Sequence, residues 1–156
     1  MNEAAANHGA ASDRAPQVIF RADLSSPANV VWNLVGPFDS LPLWHPLVAA
    51  CTLEREKDGS VLRHIRLRDG TPIVNRETAR SDAAHFYSYE LVEGPLSVVF
   101  YRSTLRLIER GDDRCTLDWA STFDSGNAPE DEVKQRVESL IGPGVRALSE
   151  RFSSAK

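Results

Sequence analysis

The order of hydrophobic and polar positions divides the chain into one strand, two short helices, a run of strands and a long final helix. Residues Gln17–Leu24 alternate between apolar and polar side chains, which is typical of a strand. Ser25-Ser26-Pro27 then offers capping hydroxyls and a proline suited to the first helical position, and Gly36-Pro37 ends the predicted helix. A second short helix is predicted over Asp39–Leu43.

From Leu47 the apolar period changes to two, and the pattern predicts a series of strands. Asp58-Gly59 and Asp69-Gly70 fall between alternating runs, where this dipeptide favours a tight hairpin. Consecutive hairpins indicate an antiparallel meander with one buried face. The predicted strands are Val48–Glu56, Val61–Arg68, Pro72–Ser81, Phe86–Val92, Val98–Glu109 and Arg114–Phe123.

The last segment predicts a long amphipathic helix that begins near Pro129. Three carboxylates, Glu130 to Glu132, fall in its first turn, where the helix dipole favours negative charge. Gly142-Pro143-Gly144 is expected to kink the helix, because proline cannot complete the backbone hydrogen-bond ladder. The apolar stripe, suited to packing on a sheet, consists of Val133, Val137, Leu140, Ile141, Val145, Leu148 and Phe152.

Composition narrows the class of protein. The length of 156 residues and the 42% hydrophobic content fit one globular domain, which we expect over residues 17–156 after a flexible tail over residues 1–16. The net charge of −4 argues against a nucleic-acid-binding surface. No apolar run is long enough for membrane insertion, and the N-terminus does not resemble a secretory signal, so a cytoplasmic location is expected.

Metal and cofactor signals are missing from the sequence. Cys51 and Cys115 are far apart and are interpreted as reduced core thiols, and the four histidines are scattered. The chain contains no phosphate loop, dinucleotide fingerprint or serine-nucleophile motif. We therefore expect neither a metal site nor a cofactor.

The strand face predicted to be buried is too polar for a simple core. Alternation places Arg63, Asn75, Glu77 and Ala79 inside and Arg80 outside. A buried charge without a partner is costly, so Arg63 and Glu77 are expected to pair across adjacent strands, to face a wet cavity, or both. The other residues assigned to this face as candidate ligand contacts are Tyr87, Tyr89, Tyr101, Ser103, Trp119 and Ser121.

Trp44-His45-Pro46 follows the second short helix and precedes the meander. This position predicts an aromatic wall and a titratable group at the lip of whatever the strands enclose. His45 is interpreted either as a catalytic group at that lip or as a partly exposed loop histidine.

Several segments carry a family resemblance through their order and spacing. They are Ser26–Trp32, Trp44–Pro46, Gly59–Arg63, Glu77, Tyr87–Tyr89, Glu93–Pro95, Thr116–Trp119 and Phe123. With the order of the elements, they resemble the START/Bet v 1-like (SRPBCC) superfamily and, within it, the polyketide cyclase/dehydrase-like branch, from about Val18 to Phe152. The resemblance implies an α+β helix-grip, in which a curved seven-stranded antiparallel sheet wraps around the long C-terminal helix. The two short helices after the first strand would form the lip of a cavity for hydrophobic small molecules.

Three functions stay open at this point. The first is binding of a small hydrophobic, oxygenated molecule of polyketide, aromatic or lipid type, enclosed by Trp44, Trp119 and the tyrosines, with Arg63 or Asn75 at its polar end. The second is a cofactor-independent cyclase, dehydratase, lyase or hydrolase. There, Glu77 or His45 would be the base, a tyrosine the acid, and Arg63 the group that stabilises an enolate or carboxylate.

The third function is action through a protein partner. An exposed edge strand is also a feature through which a homodimer could form. The enzyme hypothesis requires a cavity carboxylate or imidazole that lacks a permanent partner, whereas the binding hypothesis does not. An ion pair with Arg63 would hold the pKa of Glu77 low and make it a poor base.

Overall fold

The computed structural model describes residues 14–153, so most of the predicted tail lies outside the described residues. One antiparallel sheet is formed by β1 (Val18–Leu24), β2 (Val48–Arg55), β3 (Val61–Leu67), β4 (Pro72–Ser81), β5 (Phe86–Glu93), β6 (Phe100–Glu109) and β7 (Cys115–Asp124). The helices are α1 (Ala28–Val35), α2 (Leu41–Trp44) and α3 (Glu130–Arg151). The predicted α+β helix-grip fold and its order of elements are confirmed.

The sheet follows the order β1-β7-β6-β5-β4-β3-β2. Each strand from β2 to β6 pairs with the next strand in the chain, and β1 pairs with β7, with Phe20 opposite Trp119. The hairpin turns after β2 and β3 contain Gly59 and Gly70 at φ +91° and +94°. These are left-handed conformations that glycine adopts without strain, which explains the Asp-Gly signals.

The helix starts differ from the prediction. Pro27 is itself the N-cap of α1 and makes no side-chain capping bond, so the prediction of a serine N-cap with Pro27 at the first helical position is wrong. The backbone N–H of Ala28 instead donates to Glu109 Oε1 at 3.3 Å, and this contact links α1 to the end of β6. The second helix, α2, begins two residues later than predicted because Ser40 is its N-cap.

The apolar stripe of α3 faces the inner side of the sheet. Val137 and Leu148 are completely buried, and the ring of Phe20 on β1 lies close to Gly142. Pro143 lies inside α3, yet the helix continues to Arg151. No helix within the described residues 14–153 combines the length and hydropathy needed to cross a membrane.

A bulge in β4 changes which side chains face inward. The register with β5 shifts between Glu77 and Ala79, which reverses the alternation beyond that point. Ala79 is therefore exposed, whereas Arg80 turns inward and donates from Nη2 to the Gly36 carbonyl oxygen at 2.6 Å. The predictions that Arg80 faces outward and Ala79 inward are wrong for this reason.

Candidate functional site

An internal cavity of about 80 Å³ lies between the inner face of the sheet and α3. Strands β3 to β7 supply most of its walls, while α2 and α3 supply Leu41 and Ile141. The apolar lining residues are Leu41, Val48, Ile65, Leu67, Ile73, Leu91, Pro95, Leu96, Leu140 and Ile141. The remaining lining residues are His45, Arg63, Asn75, Tyr89, Tyr101 and Trp119.

The cavity thus brings together six of the predicted site residues. Five others lie outside its lining, namely Trp44, Glu77, Tyr87, Ser103 and Ser121. Tyr87, Ser103 and Ser121 are buried behind the wall, where they form hydrogen bonds with the lining residues Arg63, Trp119 and Tyr101, respectively. Trp44 also packs behind the wall, with its ring centre 5.8 Å from that of Trp119 and its Nε1 donating to Ser40 Oγ at 3.2 Å.

Arg63 occupies the polar end of the cavity. Its side chain comes from β3, pairs in register with Asn75 on β4 and is 1% exposed. Its Nε donates to Asn75 Oδ1 at 3.0 Å. Its Nη1 donates to the Phe38 carbonyl oxygen at 3.1 Å and to the Tyr87 hydroxyl at 3.2 Å. All three acceptors are neutral.

Three aromatic rings surround the same guanidinium. The carbon Cζ of Arg63 lies 4.1 Å from the ring centre of Phe38, 4.6 Å from that of Tyr89 and 5.4 Å from that of Tyr87. A cation facing aromatic rings at such distances gains about 2 kcal/mol or more when it is removed from water. The rings therefore offset part of the desolvation of the buried charge.

The predicted pair between Arg63 and Glu77 does not form. Glu77 Oε2 instead accepts from Arg80, at 3.0 Å from Nε and 2.9 Å from Nη2. The β4 bulge explains this exchange, because it brings Arg80 to the inner side three residues after Glu77. The carboxylate predicted as a base thus has a cation partner away from the cavity lining.

His45 joins the lip to α3. Its Nε2 lies 2.8 Å from the Leu140 carbonyl oxygen, and its Nδ1 accepts from the Leu47 backbone N–H at 3.3 Å. A carbonyl oxygen only accepts, so the proton is on Nε2 and the ring is neutral. Burial lowers the pKa of His45 to about 4, with the hydrogen bond to Leu140 opposing that shift. His45 is only 6% exposed, so the interpretation that it is a partly exposed loop histidine is wrong.

Gly144 allows this contact between the lip and the helix. A Cβ atom at this position would lie 2.6 Å from His45 Cδ2 and 3.2 Å from Trp44 Cζ3. Real Cβ atoms essentially never approach a neighbour to 2.6 Å. The sequence predicted Gly144 only as part of a helix kink. In the structure, the absence of a side chain at Gly144 leaves the space on α3 that the His45 imidazole occupies.

A chain of hydrogen bonds connects the polar groups at the opposite wall. Ser103 Oγ donates to the Ala120 carbonyl oxygen at 3.1 Å and accepts from Trp119 Nε1 at 3.0 Å. Because the one proton of Ser103 is used, Ser121 Oγ donates to Ser103 at 3.1 Å, and the Tyr101 hydroxyl donates to Ser121 at 2.9 Å. Burial also raises the pKa of Tyr101. Tyr101 is thus a protonated phenol whose hydrogen is already donated within the wall.

The inner cavity adjoins an open groove of about 510 Å³ between α3, the β3–β4 hairpin and the β5–β6 connection. Both spaces are lined by Leu67, Pro95, Leu96 and Leu140. Arg136 on α3 donates to the Pro95 carbonyl oxygen at 3.0 Å across this groove. The groove is therefore the more polar outer continuation of an apolar chamber.

Sequence reasoning missed Phe38. This residue lies in the connection between α1 and α2, where no periodicity indicates which way a side chain points. Its one signal was a large aromatic residue directly after the helix-ending Gly36-Pro37. Within residues 14–153, no cluster of three or more His, Cys, Asp or Glu side chains could hold a metal ion.

Residues 18–153 match the sequence profile of the family described as "Polyketide cyclase / dehydrase and lipid transport". A curated relative is the abscisic acid receptor PYL7 of Arabidopsis thaliana. It is 26% identical over 142 residues, which cover 84% of this chain and 67% of the receptor.

Among solved structures, the protein XoxI of Bacillus cereus is 26% identical with a TM-score of 0.79, covering 86% of this chain and 94% of that protein. The aromatase/cyclase Zhui from Streptomyces shares 16% identity with a TM-score of 0.67, covering 85% of this chain and 91% of that protein. At this identity, the likeness to Zhui concerns the fold.

Proposed function

The chain belongs to the polyketide cyclase/dehydrase and lipid transport family, and from that premise we propose that it binds a small, largely apolar, oxygenated molecule in the internal cavity. The observation that carries this proposal is the largely apolar chamber with a few converging polar groups. Such chambers orient a ligand by their polar groups while the apolar walls supply most of the binding free energy.

The walls suggest how the ligand lies. Ile65, Ile73 and Leu91 would enclose its apolar body, because these side chains line the chamber on adjacent strands. Arg63 and Asn75 would hold the polar end of the ligand. Such a ligand also agrees with the relatives, one of which is named as a receptor for a small molecule, abscisic acid.

The size of the chamber limits what fits this conformation. A volume of about 80 Å³ is well below the roughly 300–1,000 Å³ of pockets that bury drug-sized ligands. A ligand with one ring or a short branched chain fits best. A longer polyketide-like or lipid-like molecule would have to extend into the adjoining groove.

Acid–base catalysis has less support from the same geometry. Glu77 is held by Arg80 and does not line the chamber. Both ring nitrogens of His45 are engaged, and the Tyr101 proton is donated to Ser121. Glu77, His45 and Tyr101 therefore do not combine a position on the chamber with a free proton or lone pair for transfer.

Mass spectrometry of the full chain tests the proposal first. Native spectra should show a retained small molecule, or one acquired from a panel of aromatic polyketides, sterols and fatty acids, and denatured spectra should identify it. The thermal midpoint should rise with the same compound.

Ile73→Phe places extra volume in the chamber and should abolish both effects. Leu53→Phe, at an exposed position on edge strand β2, is the matched control and should leave them intact. Failure of every compound, or equal binding by the two variants, would contradict the proposal. A homodimer and a cytoplasmic location stay predictions.

A further inference from the structure

The guanidinium of Arg63 is a buried positive charge to which no carboxylate comes within ion-pair distance among residues 14–153. The ion pairs of the described residues do not involve Arg63. Glu77, the carboxylate that the sequence predicted as its partner, pairs with Arg80 instead. Arginine is almost never fully buried unless it is paired. The usual partner of such a group is therefore missing from the described chain.

The titratable neighbours of Arg63 do not supply the negative charge. Burial raises the pKa of the Tyr87 phenol and of the Cys51 thiol, and burial lowers the pKa of His45 to about 4. All three groups are neutral near pH 7. None of these three groups therefore offsets the formal positive charge of the guanidinium.

The hydrogen bonds of Arg63 leave part of its donor set unused. The three bonds to protein acceptors involve Nε and Nη1, and Nη2 takes part in none of them. The same side chain lines the chamber. A guanidinium has five N–H donors in a fork that matches a carboxylate, and the surrounding aromatic faces cannot accept such bonds with the same strength.

We propose that the chamber selects a compact monocarboxylate, with the carboxylate against Arg63 and an apolar body of about one ring against Ile65, Ile73 and Leu91. This inference rests on the proposed function and narrows it from an oxygenated molecule to an organic anion. The ligand would provide the counter-ion that the described chain lacks, so charge as well as shape would decide which molecules bind.

Acid–amide pairs test the inference. Calorimetric titrations of the full chain use benzoate against benzamide, phenylacetate against phenylacetamide, and cinnamate against cinnamamide, since the members of each pair have nearly the same shape. The acid of at least one pair should bind about tenfold more tightly than its amide, because hydrogen bonds between charged groups are stronger than neutral ones. Equal affinities, or binding of neutral compounds only, would overturn the inference and leave the proposed function standing. Failure of these compounds together with the wider panel would instead overturn the proposed function.

Variants of two arginines on β3 test whether Arg63 causes the preference for acids over amides. Arg63→Met should reduce the acid–amide affinity ratio to about one while amide binding persists, and Arg63→Lys should retain an intermediate ratio. Arg66→Met removes an exposed arginine from the same strand and should keep the wild-type ratio. A ratio that survives Arg63→Met would overturn the assignment to Arg63. If Arg63→Met does not fold, the wild-type ratio and its reduction in Arg63→Lys decide the question.

Discussion

The guanidinium carbon of Arg63 lies 4.1 Å from the ring centre of Phe38, and Arg63 Nη1 also donates to the Phe38 carbonyl oxygen at 3.1 Å. One loop residue thus contributes both a π-face and a hydrogen-bond acceptor to the same buried cation. Since this loop leads directly into α2, the contact connects the polar end of the chamber with its lip.

Replacing the Phe38 ring should destabilise the fold. Phe38→Leu removes the closest aromatic face from a desolvated cation, and the free energy of unfolding should fall by about 2 kcal/mol or more. Phe86→Leu is the matched control, because the Phe86 ring lies 4.4 Å from the Arg106 guanidinium carbon at a more solvated position. The loss of this cation–π contact should lower the free energy of unfolding of Phe86→Leu by no more than about 1 kcal/mol. Urea unfolding measures both, and equal losses would contradict the special role of Phe38.

His45 should make stability depend on pH. Its folded pKa of about 4 lies below the ordinary histidine value of 6.5, so between these values the unfolded chain binds more protons at this site. The stabilisation is complete above about pH 6.5 and is lost as the pH falls towards 4, by at most about 3 kcal/mol.

His45→Gln should remove that part of the pH dependence, because glutamine does not titrate. Urea unfolding at several pH values between 8 and 4.5 gives the difference from wild type, which separates His45 from titrating carboxylates. His64→Gln, at an exposed histidine whose Nε2 lies 2.7 Å from Glu54 Oε1, is the control. A difference between wild type and His45→Gln that is constant over this range would refute the prediction.

Two neighbouring helix glycines should respond differently to alanine. Gly144→Ala drives a methyl group into His45 and should destabilise the protein by about 1–3 kcal/mol. Gly142→Ala meets the Phe20 ring at an ordinary 3.5 Å and should be nearly neutral, since its gain in helix propensity is opposed by the restriction before Pro143.

A double variant identifies the cause of the Gly144→Ala effect. If the imidazole causes the strain, adding His45→Ala should make the combined loss smaller than the sum of the single losses. Additive losses measured by thermal or urea unfolding would show that the clash is not with His45.

Replacing Ser103 should lower the stability of the fold more than replacing a comparable serine on the outer face of the sheet. Ser103→Ala removes an acceptor of Trp119 Nε1 and of the Ser121 hydroxyl and should lower stability by about 1–3 kcal/mol. Ser88→Ala breaks a hydroxyl pair with Thr104 in a part-buried position and should lower it less. Chemical unfolding of both variants is the measurement, and a smaller loss for Ser103→Ala would rule out the proposed hydrogen-bond chain.

The sequence pattern was sufficient for the fold because period-two alternation and Asp-Gly turns report local geometry. In β6, Tyr101, Ser103, Leu105 and Leu107 are all buried, as the alternation predicts. Regular strands thus indicate inward faces reliably. The assignment holds as long as each residue faces opposite to the one before it.

The candidate site was less predictable, because alternation assigns the faces of a strand correctly only where no bulge interrupts it. One extra residue in β4 reversed the alternation, so Glu77 took Arg80 as its partner and Arg63 was left with neutral acceptors. Neither the bulge nor the direction of the Phe38 side chain leaves a periodic signal. The role of Gly144 depends on contact with His45, which is about one hundred residues away in the chain.

The hydrogen bond between His45 and Leu140 also has a consequence for the kinetics of ligand exchange. Both residues line the chamber, and their 2.8 Å contact joins the lip to α3 beside it. A ligand that enters between the lip and α3 must separate these elements first. We therefore expect its association rate to level off with increasing ligand concentration, limited by the frequency of opening and well below the diffusion limit.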